Sequence, residues 1–479
     1  MSAPLQKLVL DADALQARVE QLLAGGGRMQ MAYAWQAEPD ALEVRYLAAP
    51  ATGQPLELWC VRPVDGVLPS MALHAPLLGW YEREMQDLYG LTFRGHPEPF
   101  PLVIERSEGV PRAPLTLPDV VDPQAQWLGF GPVRADVVES AQFLFLYIGE
   151  AIVHYVPRLF LKHRGMERRF EGLSPLHGCV LAERVSGVGS VAHALAYCQA
   201  VEQAAGCAVP RYARQWRVLL AELERIYNHL HYFGQLADAT TLKVGQAEGR
   251  LLEERVKQLA GALTGQRFMR NVLCPGGLRR EMAVPTDWVD RLSVLRKGVE
   301  SYLAQLERTT SYLDRLITTG VLPREVAFDQ GATGPIERAS GLDRDLRRDH
   351  PYAAYDELPV PVPLAESGDA HARAQVRTAE LRASFDLLEL LLPQLASGPC
   401  RVPCEAMPGS FGLGWAESPR GSLYYAVHVN ADGTLARVKI KSPSFSNWRA
   451  FPFTVHQTNM MDYAINEASF GLTIAGCDR

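Results

Sequence analysis

The sequence predicts an α+β chain. It divides into a small N-terminal α/β domain over residues 1–105, a proline-rich linker over 106–128, and a large, mainly helical domain with a minor β-sheet over 129–479. Three observations carry this. Short β-like runs, Leu42 to Leu47 and Leu56 to Val61, alternate with helical stretches before Glu105. Seven prolines fall in the stretch from Pro97 to Pro123, which removes too many N–H donors for a helix interior or a central strand. Beyond them, apolar residues recur at three- and four-residue steps, the period of a helix face.

Taken in order, Met1 to Gly27 reads as an amphipathic element broken by Asp11, Asp13, Arg18 and Glu20 and closed by three glycines. It lacks the apolar core of a secretion signal, so a cytoplasmic location is expected. In the large domain, Trp216, Leu219, Leu220, Leu223, Ile226, Tyr227, Leu230 and Phe233 form a broad apolar stripe on one long helix. Further helices are expected at Val191 to Ala205, Gly249 to Leu263, Trp288 to Thr318 and Ala372 to Leu392. Tyr424 to Lys441 alternates around Asn430-Ala431-Asp432-Gly433, a hairpin signature.

Composition narrows the function classes. A hydrophobic fraction of 47%, a charged fraction of 21% and 39 glycines with 33 prolines exclude a disordered, collagen-like or coiled-coil chain. A net charge of −6 gives no basic field for nucleic acid. The apolar runs Ala141 to Ile148 and Leu387 to Leu392 fall far short of the ~20 residues a spanning helix needs. Eight cysteines form no CxxC pair, which points to reduced thiols; Cys400 and Cys404 read as two unrelated ones. The Walker, dinucleotide-fingerprint, GxSxG and HExxH patterns are all absent from the sequence.

Extended strings stand out instead. Trp80-Tyr81-Glu82-Arg83-Glu84, Asp87-Leu88-Tyr89-Gly90 and Phe93-Arg94-Gly95-His96-Pro97 resemble the signature of the 30 kDa-type subunit of respiratory complex I. The later strings are His163-Arg164-Gly165-Met166-Glu167, Ala182-Glu183-Arg184-Val185, Glu222-Leu223-Glu224-Arg225-Ile226-Tyr227-Asn228-His229, Arg338-Ala339-Ser340-Gly341 and Ser444-Phe445-Ser446-Asn447-Trp448. These resemble the large subunit of group 4 energy-converting [NiFe] hydrogenases, of the formate hydrogenlyase type, and the 49 kDa-type subunit of complex I. The resemblance implies a 30 kDa-like domain fused to a hydrogenase large-subunit-like domain, at the cytoplasmic face of the cell membrane. It implies as partners an Fe–S small subunit, a ferredoxin-like subunit, a membrane anchor and antiporter-like membrane subunits.

Family hydrogenases hold nickel and iron through two CxxC pairs, because soft thiolates stabilise both metals. Laid on that pattern, the ligand positions carry Ser186, Gly189, Thr473 and Gly476. Cys477 lies one place beyond the last, and a single thiolate cannot hold a bimetallic centre. The resemblance therefore implies no bound nickel. A chain stopping at Cys477-Asp478-Arg479 fits a protein outside the family's precursor-trimming route, or a processed form.

Other site features follow from the resemblance. Glu139 aligns with the glutamate that passes protons to the hydrogenase site, and Arg420 with the arginine over the open metal position. The two can handle protons together or persist as a buried salt bridge. Arg184 and His229 match positions beside the terminal [4Fe-4S] cluster, which belongs to the neighbouring small subunit; an imidazole there would titrate with the cluster. The family's quinone headgroup ligands are replaced by Arg134, Val138 or Glu139, and Gly187; Arg134, Glu139, His193 and Arg420 offer a quinone or another acceptor a different donor set in a cavity that includes Ser186. His163-Arg164-Gly165 and Asp369 with Arg373 read as ion-pair scaffolding. The function expected is electron transfer from the partner's cluster to an acceptor, coupled to ion translocation, with a non-catalytic structural subunit as the rival.

Overall fold

The computed structural model describes residues 5–38, 41–51, 53–103, 122–133, 139–456 and 458–479. The N-terminal domain is built on a four-stranded sheet in which Gln6–Leu10 runs parallel to Glu57–Val61, followed by Ala41–Ala49 and Arg28–Glu38 in antiparallel order. Helices Leu15–Ala24 and Gly79–Tyr89 pack on it. The first 27 residues are thus not one amphipathic element. Leu8 and Leu10 are half-buried between exposed neighbours, a two-residue period that makes the opening stretch an edge strand.

Most of the linker, residues 106–121, lies outside the described residues, as do the two residues before it. On its near side, Asp87 accepts from the N–H groups of Leu102 and Val103, which ties the proline stretch to helix Gly79–Tyr89. On its far side, regular structure begins earlier than the expected boundary, because Gln126–Phe130 is already a strand. It forms a three-stranded meander with Gln142–Ile148 and Ala151–Arg158.

The large domain is the expected helical mass around a second three-stranded antiparallel sheet, Phe411–Ser418, Gly421–Val429 and Leu435–Lys441. Every residue of the middle strand is buried. Helix Ser190–Ala205 covers one face of this sheet, and strand Arg28–Glu38 of the N-terminal domain reaches it as well. There Trp35 stacks on His428 at 3.9 Å and the Tyr33 hydroxyl meets the same ring at 3.1 Å. Helix Arg211–Ala239 is the spine of the domain, and its apolar stripe is core throughout. The helix expected from Trp288 to Thr318 is two, Trp288–Arg308 and Thr310–Leu316. Between them Thr309 leaves helical geometry while its hydroxyl donates to the Gln305 carbonyl, the local side-chain bond that weakens a helix interior.

The approach of helix Ser190–Ala205 to the sheet depends on two glycines. A Cβ on Gly412 would stand 1.9 Å from the Ala200 carbonyl oxygen, and one on Gly414 would stand 2.0 Å from that of Ala196. Backbone on backbone cannot yield locally, so Gly414→Ala is expected to cost about 2 kcal/mol by overpacking. Urea denaturation checks this; an unchanged midpoint would mean the helix is free to slide outward.

Among the described residues, no helix is long and apolar enough to cross a membrane.

Candidate functional site

The two segments that carry the ligand positions meet. Ser186 precedes helix Ser190–Ala205, and Thr473 is the cap of the terminal helix Ile474–Asp478, accepting from Gly476 N–H at 3.2 Å. The Ser186 and Thr473 hydroxyls stand 3.5 Å apart, and the Ser444 hydroxyl lies 3.2 Å from that of Thr473. Gly476 offers no side chain, and its carbonyl accepts from Ser442. Gly189 offers no side chain either; its N–H donates to the Ser186 carbonyl at 3.0 Å, and it lies against the His193 ring. The donor set is therefore hydroxyls bonded to one another, which does not match the four thiolates a nickel–iron centre takes. The neighbouring Cys477 thiol is buried beside Asp478, and burial pushes its pKa well up, away from the thiolate form. Among the described residues, His, Cys, Asp and Glu gather nowhere in a group of three or more able to hold a metal ion.

Arg164 joins the two segments. Its guanidinium donates to the carbonyls of Val185 at 2.5 Å and Ala475 at 2.9 Å, and to that of Arg184 at 3.3 Å. It is a backbone clamp rather than an ion pair.

Glu139 stands at the edge of the hydroxyl cluster. One carboxylate oxygen accepts from the N–H groups of Ile474 at 2.5 Å and Ala475 at 2.9 Å, directly after Thr473, and the other accepts from Lys162 at 3.1 Å. Arg420 approaches from the sheet. It donates to the Gly471 carbonyl at 2.7 Å and to Asn228 at 2.6 Å, and burial pushes its pKa down to about 10. Glu139 and Arg420 thus form no salt bridge. The carboxylate pairs with Lys162 instead, and Arg420 is held by neutral acceptors. Glu224 closes the far side. Its carboxylate accepts from Val191 and Ala192 N–H at the start of helix Ser190–Ala205, and burial raises its pKa to about 7. Tyr227 and Asn228 each donate to the Val188 carbonyl, so one face of the long helix holds the Val188–Ala192 stretch at three points.

The remaining positions are dispersed. His193 is buried and turned to the Tyr425 hydroxyl at 2.7 Å, with burial holding its pKa down at about 3. The Gly187 carbonyl accepts from Arg270 and Ser190. Arg184 is exposed and donates to the Val180 carbonyl, whereas His229 is buried and bonded to Glu380 at 2.7 Å, so the two share no contact. Burial holds His229 down at about 4, against the pull of Glu380. Arg134 and Val138 lie outside the described residues. Asp369 caps helix Ala370–Leu391 through Ala372 N–H, and Arg373 turns to Ser469 and to the Gly320 and Gly368 carbonyls, an N-cap and a carbonyl clamp in place of the expected ion pair. Ser444, Glu224 and Asn228 stand in the strings that carry the resemblance but were given no role there, and Lys162 stands in none of them. For Glu224 and Asn228 the signal was there, since they lie one turn apart on the long helix.

Comparison with known proteins agrees with this architecture. Residues 10–117 match the family of respiratory-chain NADH dehydrogenase 30 kDa subunits, residues 164–247 that of nickel-dependent hydrogenases, and residues 251–409 and 405–479 that of respiratory-chain NADH dehydrogenase 49 kDa subunits. Formate hydrogenlyase subunit 5 of Escherichia coli is 29% identical over 82% of this chain and 74% of its own length. NADH-quinone oxidoreductase subunit 4 of Thermus thermophilus is 30% identical over 74% of this chain and 93% of its own length. Among solved structures, a chain of the membrane-bound sulfane sulfur reductase, an archaeal respiratory membrane complex, superposes with a TM-score of 0.70 at 26% identity, over 75% of this chain and all of that one. The chain belongs to the family of 49 kDa-type subunits of complex I-like and hydrogenase-related respiratory complexes, and carries a 30 kDa-type domain at its N-terminus.

Proposed function

We propose that this chain is the large subunit of a membrane-associated, complex I-like oxidoreductase related to energy-converting hydrogenases, working without a nickel–iron centre. Electrons arrive from a [4Fe-4S] cluster in an adjacent Fe–S subunit, itself fed through a ferredoxin-like subunit. They pass to an acceptor other than a nickel-bound proton, a quinone in the first instance. The coupled change drives ion translocation by antiporter-like membrane subunits through a membrane anchor. The observation that carries the reading is that two of the positions matching the ligands, Ser186 and Thr473, carry hydroxyls that gather with that of Ser444, while the Glu139 carboxylate bonds the N–H directly after Thr473.

The chain's own chemistry on this reading is proton handling. Glu139 bonds Lys162 through one oxygen and the N–H groups of Ile474 and Ala475, directly after Thr473, through the other, which sets it to take up a proton from the lysine side next to the hydroxyl cluster. Arg420, held by Asn228 and Gly471, supplies a fixed positive charge behind it that favours a negatively charged reduced acceptor.

Purification of the tagged chain from gently extracted membranes tests the frame. Fe–S and antiporter-like subunits are expected to co-purify, with iron and without nickel; nickel near one per chain would sink the reading. Within that complex, Glu139→Gln is expected to lower turnover about 100-fold, the scale of a lost general acid–base group. Unchanged turnover would favour a purely structural subunit, for which the mutual bonding of the hydroxyls is the specific support.

A further inference from the structure

Away from the hydroxyl cluster, a cleft of about 60 Å³ opens between the two domains. Arg28 and Ala49 of the N-terminal sheet line one side, Arg344 and His350 another, and Tyr424 with Glu417 the floor. Most of the lining residues are polar or charged, alongside the apolar Ala49, Pro50 and Leu346, and the volume holds about four waters at the space each one needs.

Glu417 is where the cleft meets the interior. It is 3% exposed, and its carboxylate accepts from Arg338 at 3.2 Å and from Leu346 N–H at 3.4 Å. The other arm of the Arg338 guanidinium donates to Glu380, and Glu380 bonds His229 at 2.7 Å. Glu417, Arg338, Glu380 and His229 are all buried, so an unbroken chain of three contacts runs from the cleft to His229.

The charge count of this network is informative. Arg225, Arg338 and Arg347 face Glu222, Asp345, Glu380 and Glu417, three cations against four carboxylates. Lys441 also faces Glu417, and because a buried net charge is costly the group is balanced either with both ionised or with Glu417 protonated and Lys441, which burial lowers to about 7, neutral. Glu417 and Asp345 both line the cleft, and against the effect of burial Arg347 and Arg338 hold Asp345 below its ordinary pKa, which leaves Glu417 as the carboxylate that takes the proton. It is faced by Asp345, by Glu337 and Arg338 of helix Pro335–Ala339, by Arg225 of the long helix, by Tyr352, and by Tyr424 and Lys441 of the sheet. Glu337 is already paired with Arg28 at 3.2 Å. Burial raises Glu417 to about 8.

We propose that the interdomain cleft is a proton port: its water exchanges one proton with the Glu417 carboxyl, and the charge state of Glu417 is conveyed through Arg338 and Glu380 to His229. The exchange is a simple transfer, hydronium and carboxylate giving water and carboxylic acid. Arginine does not release its proton, so beyond Glu417 the link is electrostatic. The port shares no residue with the hydroxyl cluster and goes beyond the reading of the acceptor site.

Infrared difference spectra of the full chain in its native complex test it. Wild type is expected to show a protonated-carboxyl band that Glu417→Gln abolishes and that disappears as pH rises through about 8. Filling the cleft mouth with Ala49→Trp is expected to slow the deuterium shift of that band about tenfold, since exchange then waits on local opening. Ala49→Phe serves the same purpose if the tryptophan variant does not fold. A spectrum unchanged by Glu417→Gln, or exchange at the wild-type rate in the filled variants, would overturn the port.

Discussion

Replacing Arg338 with methionine is expected to cost about 3 to 5 kcal/mol, the scale found when one member of a buried ion network is removed. Arg338 is fully buried on helix Pro335–Ala339 and donates to Glu380, to Glu417 and to the Arg344 carbonyl, with Asp345 at 3.4 Å. Removing it leaves the buried Glu380 and Asp345 with fewer cations beside them. The loss is not the worth of the pair itself, since an apolar set of the same shape can be as stable; it is the cost of stranding the carboxylates. Arg338→Lys keeps the charge but not the planar fork that bonds two carboxylates at once, so it falls between. Glu417→Gln, which imitates the protonated acid, is expected to be mild by comparison. Denaturant midpoints of the three variants check the ranking. Arg338→Met within about 1 kcal/mol of wild type, the range of exposed pairs, would mean that the network is solvated.

This network shows what was legible in the sequence and what was not. The helix that carries it was plain from its apolar stripe, and Glu222, Arg225, His229 and Arg338 all sat in strings that marked the family. Their partners did not. Glu380 is 151 residues from His229, and Glu417 is 79 from Arg338, and nothing in local pattern announces such a pairing. The candidate site divides the same way. The replaced ligand positions and Glu139 were readable, but Glu139 finds Lys162 at a separation of 23 residues and Ile474 at 335, so an expected pairing with Arg420 gave way to closer partners. Local readings failed where two periods compete over a short stretch: the opening strand was merged with the following helix into one amphipathic element because five residues of alternation are too few to settle the period. Thr309 broke an expected helix through a single side-chain bond that no propensity sum resolves.

The junction of the two domains is expected to be the most acid-sensitive part of the fold, and Glu167 to be the reason. Its carboxylate accepts from Ile440 N–H and lies 3.0 to 3.2 Å from Arg437, Lys439 and Arg479, while Lys439 and Arg479 also hold Glu84 of the N-terminal helix Gly79–Tyr89. Burial alone would raise its pKa, but the three cations overcome this and hold it down at about 2, from an ordinary 4.5. A carboxylate whose pKa is lowered by folding adds stability above its unfolded pKa and loses it as pH falls towards its folded one. Glu167 therefore contributes about 3 kcal/mol at neutral pH, a contribution that drains away between pH 4.5 and 2. Glu82, Glu224 and Glu417 work in the opposite sense, since burial raises them to about 7, 7 and 8 and the fold is penalised as pH climbs through that range. The wild-type stability curve mixes both trends, so the informative quantity is the gap between wild type and Glu167→Gln. That gap is expected to be widest at neutral pH and to narrow by about 1 kcal/mol on descending to about pH 3.5. Urea unfolding of the two proteins side by side measures it; a gap that stays constant with pH would mean that the three cations do not hold Glu167 ionised.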